Sequence, residues 1–214
     1  LTLNNVVVEA DGCIFVGTYY SSAQKENIKT ATLTINGGEL NAVNGKTGWA
    51  GSVAIYTGGN QQGGCHKIVA NGTVINGGAE ALYLPGIADV TLNDCTATGY
   101  NGVSIKSGTL TINGGTVKGT GEYGIAENTA FNTNGSDKTG AAISVFEQNP
   151  VYAGYVKINV TGNATLESTG MKNNLNVTGI YVAKNVTGTS AASEGDNSEA
   201  ANNTIVTYGN TEYT

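Results

Sequence analysis

The chain has 214 residues and a formal net charge of −6, and glycine, threonine and asparagine make up two-fifths of it. All ten basic residues are lysine, too few beside sixteen acids to neutralise a phosphate backbone, so nucleic acid is not an expected partner. No run approaches the ~18 apolar residues of a membrane-spanning helix, and 39% hydrophobic residues at regular intervals argue for a folded core rather than disorder.

Two short motifs alternate along the chain. Motif A alternates apolar and polar residues and ends on asparagine. It opens the chain as LTLNN (1–5) and returns as TLTINGG (32–38), TVINGG (73–78), VTLND (90–94), TLTINGG (109–115) and VKINV (156–160). Ile205-Val206 reads as a worn copy without the asparagine. Motif B is a small residue, an apolar residue, a variable one and usually a second apolar one. Its copies are CIFV (13–16), AIYT (54–57), ALYL (81–84), GVSI (102–105), GIAE (124–127), AISV (142–145) and GIYV (179–182). Only the doubled B at 124–145 breaks the alternation. Long connections lie between the motifs. Residues 17–31 carry Tyr19 and Tyr20, and their stretch SAQKENIK (22–29) is the one place where a helical turn is expected. Residues 41–51 carry Trp49, and 58–72 carry Cys65 and His66.

Where connections are short the motifs recur about every 20 residues, and their two-residue alternation predicts strands rather than helices. Short strands at that period predict stacked turns of chain, each pairing with the last. Asparagine at one recurring corner tolerates left-handed backbone and can hydrogen-bond to its copies above and below.

With this pattern the chain resembles the right-handed parallel β-helix group, the pectin-lyase-like domains that include pectate lyases, phage tailspikes and many bacterial surface proteins. The resemblance implies an all-β, right-handed, single-stranded parallel β-helix of about seven coils, with an Asn ladder at the T2 corner and a length of roughly 34 Å. Residues 1–214 would form one such domain, part of a longer protein. Motif B would supply its first sheet, and motif A the second sheet, the corner and the third.

Within motif B the first apolar residue should face the core and the next residue outward. The outward series is Phe15, Tyr56, Tyr83, Ser104, Ala126, Ser144 and Tyr181. Phe15, Tyr56 and Tyr83 then form an aromatic stripe, with Tyr19, Tyr20 and Trp49 in connections gathered near it. These six are the candidate ligand-binding residues, because a sugar ring has one apolar face that suits an aromatic platform. The opposing expectation is that the long connections fold over the stripe and bury it.

Catalysis has weaker support. Lyases of the resembled group usually abstract a proton with arginine or lysine; this chain has no arginine, and Lys106 has no carboxylate cluster beside it in sequence. Asp89 and Asp94 flank one motif A, and Glu127 and Glu147 end the doubled B, but solvated strand ends explain both. Cys65 and His66 are adjacent in sequence, which rarely gives a nucleophile pair. No cofactor and no metal are expected. The three cysteines are an odd number, so at least one is free or pairs between chains.

The function expected from the sequence is therefore that of a non-catalytic extracellular module, stalk or adhesin-like, on a bacterial cell surface or alternatively a phage virion. Its expected partner is a glycan or host-surface ligand. Polysaccharide cleavage and self-association through coil ends are the alternatives.

Overall fold

The computed structural model describes residues 1–17, 19–21, 26–28, 30–42, 52–58, 65–122, 139–145, 154–170, 177–182 and 203–214. The fold is all-β, and nearly all of its strand pairs are parallel.

The strands form three in-register rows. Row A takes motif A: Thr2–Asn4, Thr32–Asn36, His66–Asn71, the middle of Glu80–Gly99, the middle of Asn101–Glu122, Val156–Thr161 and Thr204–Tyr208. Thr211–Tyr213 closes it antiparallel. Row B takes motif B: Ile14–Val16, Val53–Thr57, the starts of the two long strands, Ile143–Val145 and Ile180–Val182. Row C, between A and the next B, joins Val7–Glu9, Glu39–Ala42, Val74–Gly77, the ends of the two long strands and Thr165–Gly170. Each inward residue therefore stacks on its equivalents. In row A, Ile35, Ala70, Leu92, Ile112 and Val160 are aligned and buried. In row C, Leu40, Ile75, Ala97, Val117 and Leu166 do the same.

Asn4, Asn36, Asn71, Asn93 and Asn113 form a column at the end of row A. Each Nδ2 donates to the Oδ1 of the asparagine before it, at 2.8, 2.8, 2.7 and 2.9 Å. Thr161 ends the column by donating to Asn113. Two expected members fall elsewhere. Asn76 belongs to row C and donates to Asn41 at 2.8 Å, while Asn71, after an alanine, takes the expected corner place. Asn159 aligns with Thr111 on the outer face, one pleat before the corner. The left-handed residue is not the asparagine but the one after it: Asn5, Gly37, Gly72, Asp94 and Gly114, with Gly162 after Thr161. The tight turn and the hydrogen-bonded column are thus made by neighbouring residues. This explains the Asn-Gly dipeptides, since glycine enters that conformation without a Cβ clash.

Asn93 sits mid-column, so Asn93→Ala removes two side-chain hydrogen bonds and strands a donor on Asn113 and an acceptor on Asn71. A loss of about 1–3 kcal/mol is expected in urea unfolding. Asn4→Ala, at the exposed end with one such bond, should cost less.

The doubled B is resolved in favour of its second copy. Ile143–Val145 pairs with Val103–Ile105, and GIAE (124–127) lies outside the described residues. The second inward place of motif B holds Val16, Thr57, Leu84, Ile105, Val145 and Val182. GIAE would put the Glu127 carboxylate there, at a cost of several kcal/mol if unpaired; AISV puts a valine. Asn101 adds a second preference. Its Oδ1 accepts from the Thr139 backbone N–H at 3.0 Å, the Thr139 hydroxyl at 3.0 Å and the Gly140 N–H at 2.9 Å, just before the Ile143–Val145 strand.

The expected helical turn at 22–29 is corrected at its end: Glu26–Ile28 is a strand, paired antiparallel with Tyr19–Ser21. A lone helical turn satisfies few backbone groups, whereas a hairpin gives them partners.

Candidate functional site: the outer face of row B

The register of row B brings Phe15, Tyr56 and Tyr83 side by side. The Phe15 and Tyr56 ring centroids are 5.1 Å apart with planes 26° off parallel; Tyr56 and Tyr83 are 5.4 Å apart and 3° off parallel. Parallel rings this close cannot lie edge to edge in one plane, so their faces overlap with an offset. The stack therefore uses part of each ring face internally. Its open end is Phe15, 63% exposed; Tyr56 is half-buried and Tyr83 only 2% exposed. Burial raises the Tyr56 phenol above its ordinary pKa.

Of the other candidate ligand-binding residues, Tyr19 and Tyr20 lie on the Tyr19–Ser21 strand, and their side chains are outside the described set. Trp49 is also outside the described residues, as are Glu127 and Glu147. The stripe is thus open at its Phe15 end. Farther along, Tyr83, Ser104, Ser144 and Tyr181 are buried.

Beneath Tyr83 lies a charged cluster. Lys106, 1% exposed, holds its Nζ 5.6 Å from the Tyr83 ring centroid. Glu80, 3% exposed, accepts a hydrogen bond from the Ser104 hydroxyl at 3.1 Å and another from the Asn101 side chain. Burial pushes the Glu80 carboxyl up to about 7, against the lowering effect of the Ser104 bond, the Lys106 charge and the Asn101 bond. Sequence reasoning missed Glu80, because 26 positions separate it from Lys106 in the chain. The available signal was alignment: stacking ALYL on GVSI places Glu80 beside Asn101, on the strand next to Ser104 and Lys106.

Cys65 and His66 do not face each other as a nucleophile pair. The Cys65 thiol donates to the His66 carbonyl at 3.7 Å, and burial and the Asp89 charge both raise its pKa. The buried His66 ring points inward from row A with Nε2 3.1 Å from the Gly58 carbonyl, and burial lowers its pKa. Asp89 and Asp94 are separated by function in the fold: Asp89 is on the outer face of row A, aligned with Lys67, and Asp94 makes a left-handed corner. All three cysteines are free. No group of three or more metal-binding side chains gathers among the described residues.

No family model, curated protein or solved structure matches this chain.

Proposed function

We propose that this chain is a right-handed, single-stranded parallel β-helix of about seven coils, a pectin-lyase-like domain of a longer bacterial cell-surface protein, with the phage virion as the alternative setting. Rows A, B and C are its three faces, and the asparagine column is the ladder at its T2 corner. Left-handed residues at the same corner of successive levels support the coil reading. Its function is that of a non-catalytic stalk or adhesin-like module that binds glycans through the Phe15 end of row B. The single observation that carries this is the stack itself. An exposed phenyl face lies over a half-buried tyrosine, and both are held in place by backbone register. Such a face is pre-organised and costs little side-chain entropy on binding. The enclosure of Glu80 and Lys106 supports the non-catalytic reading over polysaccharide cleavage, since neither side chain meets solvent.

A glycan-array screen of the domain beside a Phe15→Ala/Tyr56→Ala variant tests this. Tyr83 is left intact because it is buried. At least about tenfold weaker binding by the variant is expected. A domain that binds no glycan, or a variant that binds equally well, would sink the reading.

The self-association reading draws on a different observation. Thr2–Asn4, Val7–Glu9 and Ile14–Val16 each have one strand neighbour among the described residues, and Val7 and Phe15 there are exposed. The molar mass in solution, by light scattering, separates a monomer from this alternative.

A further inference from the structure

Glu80 and Lys106 are charged side chains buried near Tyr83, on the two long strands of row B. The groups around them can be followed strand by strand. On its own strand Glu80 is followed by Tyr83. On the next strand stand Asn101, Ser104 and Lys106, with Thr139 and Ser144 beyond them. On the strand before, Val53–Thr57, the titratable side chain is Tyr56. Tyr83 stacks on the Tyr56 ring, and the Lys106 ammonium lies 5.6 Å from its centroid. Among the groups of this cluster, the π face of Tyr83 and the carboxyl of Glu80 both attract the ammonium. The first is a modest attraction. The second depends on whether Glu80 carries a charge, and in a buried site an ionised carboxylate attracts an ammonium more strongly than a ring face does.

We propose that Glu80 and Lys106 make the aromatic stack proton-sensitive: with the carboxyl protonated the ammonium stays over Tyr83, and with the carboxylate formed it is drawn off the ring toward Glu80. Tyr83 carries Tyr56, and Tyr56 carries Phe15, so the change reaches the exposed end of the stack. The glycan reading matters to this only for its consequence, that the face offered to a sugar differs on the two sides of neutral pH.

Nuclear magnetic resonance of the full chain with ring-labelled tyrosine tests it without any ligand. Tyr83→Phe identifies the Tyr83 signals among the eleven tyrosines. In the wild type these signals should titrate with a midpoint of about 7. The titration should be lost in Glu80→Gln and in Lys106→Met, with the remaining tyrosine signals showing that both variants are folded. Tyr83 signals that do not move in the wild type would overturn the proposal. So would signals that move with the same midpoint in either variant. A failed glycan screen leaves this measurement unaffected, so the two ideas fall separately.

Discussion

Ile112→Ala is expected to lower stability by about 2–5 kcal/mol, seen as a shifted urea midpoint. Ile112 is fully buried and sits in register between Leu92 and Val160. Its two neighbouring strands are fixed by backbone pairing along their length, so they cannot slide inward to fill the space that the lost atoms leave. The site should therefore be among those that collapse poorly, where the cavity cost adds to the transfer cost. Thr91→Ala is the matched control. It lies on the outer face of the same row, half-exposed, and a change within about 1 kcal/mol is expected. Equal effects at the two positions would mean that the row A interior does not carry the core.

Glu80→Gln should change how stability depends on pH. Burial raises the folded pKa of Glu80 to about 7 from an ordinary 4.5. Between these values the native state holds a proton that the unfolded chain has released, so native-state proton binding exceeds that of the unfolded state. Stability from this group is then full below the lower value and falls as pH rises through the folded one. Over the whole window the loss is on the order of 3 kcal/mol. His66 works in the opposite direction: its lowered pKa costs stability as pH falls through its ordinary range. The comparison that isolates Glu80 is therefore wild type against variant at each pH. Glutamine should gain on glutamate by on the order of 3 kcal/mol between about pH 5 and about pH 8. A difference that stays constant across this range would show that Glu80 is hydrated in the native state.

Much of this architecture is legible in the sequence. The period-two alternation in TLTING and AIYT identifies strands with one buried face, because successive side chains on extended backbone must point to opposite sides. The recurrence of both motifs places their copies in stacked rows, and Phe15, Tyr56 and Tyr83 fall in line because each follows the inward residue of its own motif B. The asparagine column was legible for the same reason at Asn4, Asn36, Asn93 and Asn113. It failed where the local pattern pointed to the wrong asparagine. TVINGG matches motif A as text, yet Asn76 lies in row C, because His66–Asn71 supplies a better-placed strand just before it.

The sequence by itself determined strand type, the approximate period, the inward residues of most copies and the aromatic stripe, all of which follow from local alternation. Three things were decided only by the tertiary structure. One is the choice of AISV over GIAE for the place beside Val103–Ile105, which depends on what the second inward position tolerates and on the bonds that Asn101 offers Thr139 and Gly140. Another is where the stripe is open and where it is closed. The last is the cluster around Tyr83, where Lys106 lies over the ring and Ser104 binds Glu80. Each turns on residues far apart in the chain that become neighbours only when their parallel strands pair, and that contact energy is not written in any local pattern.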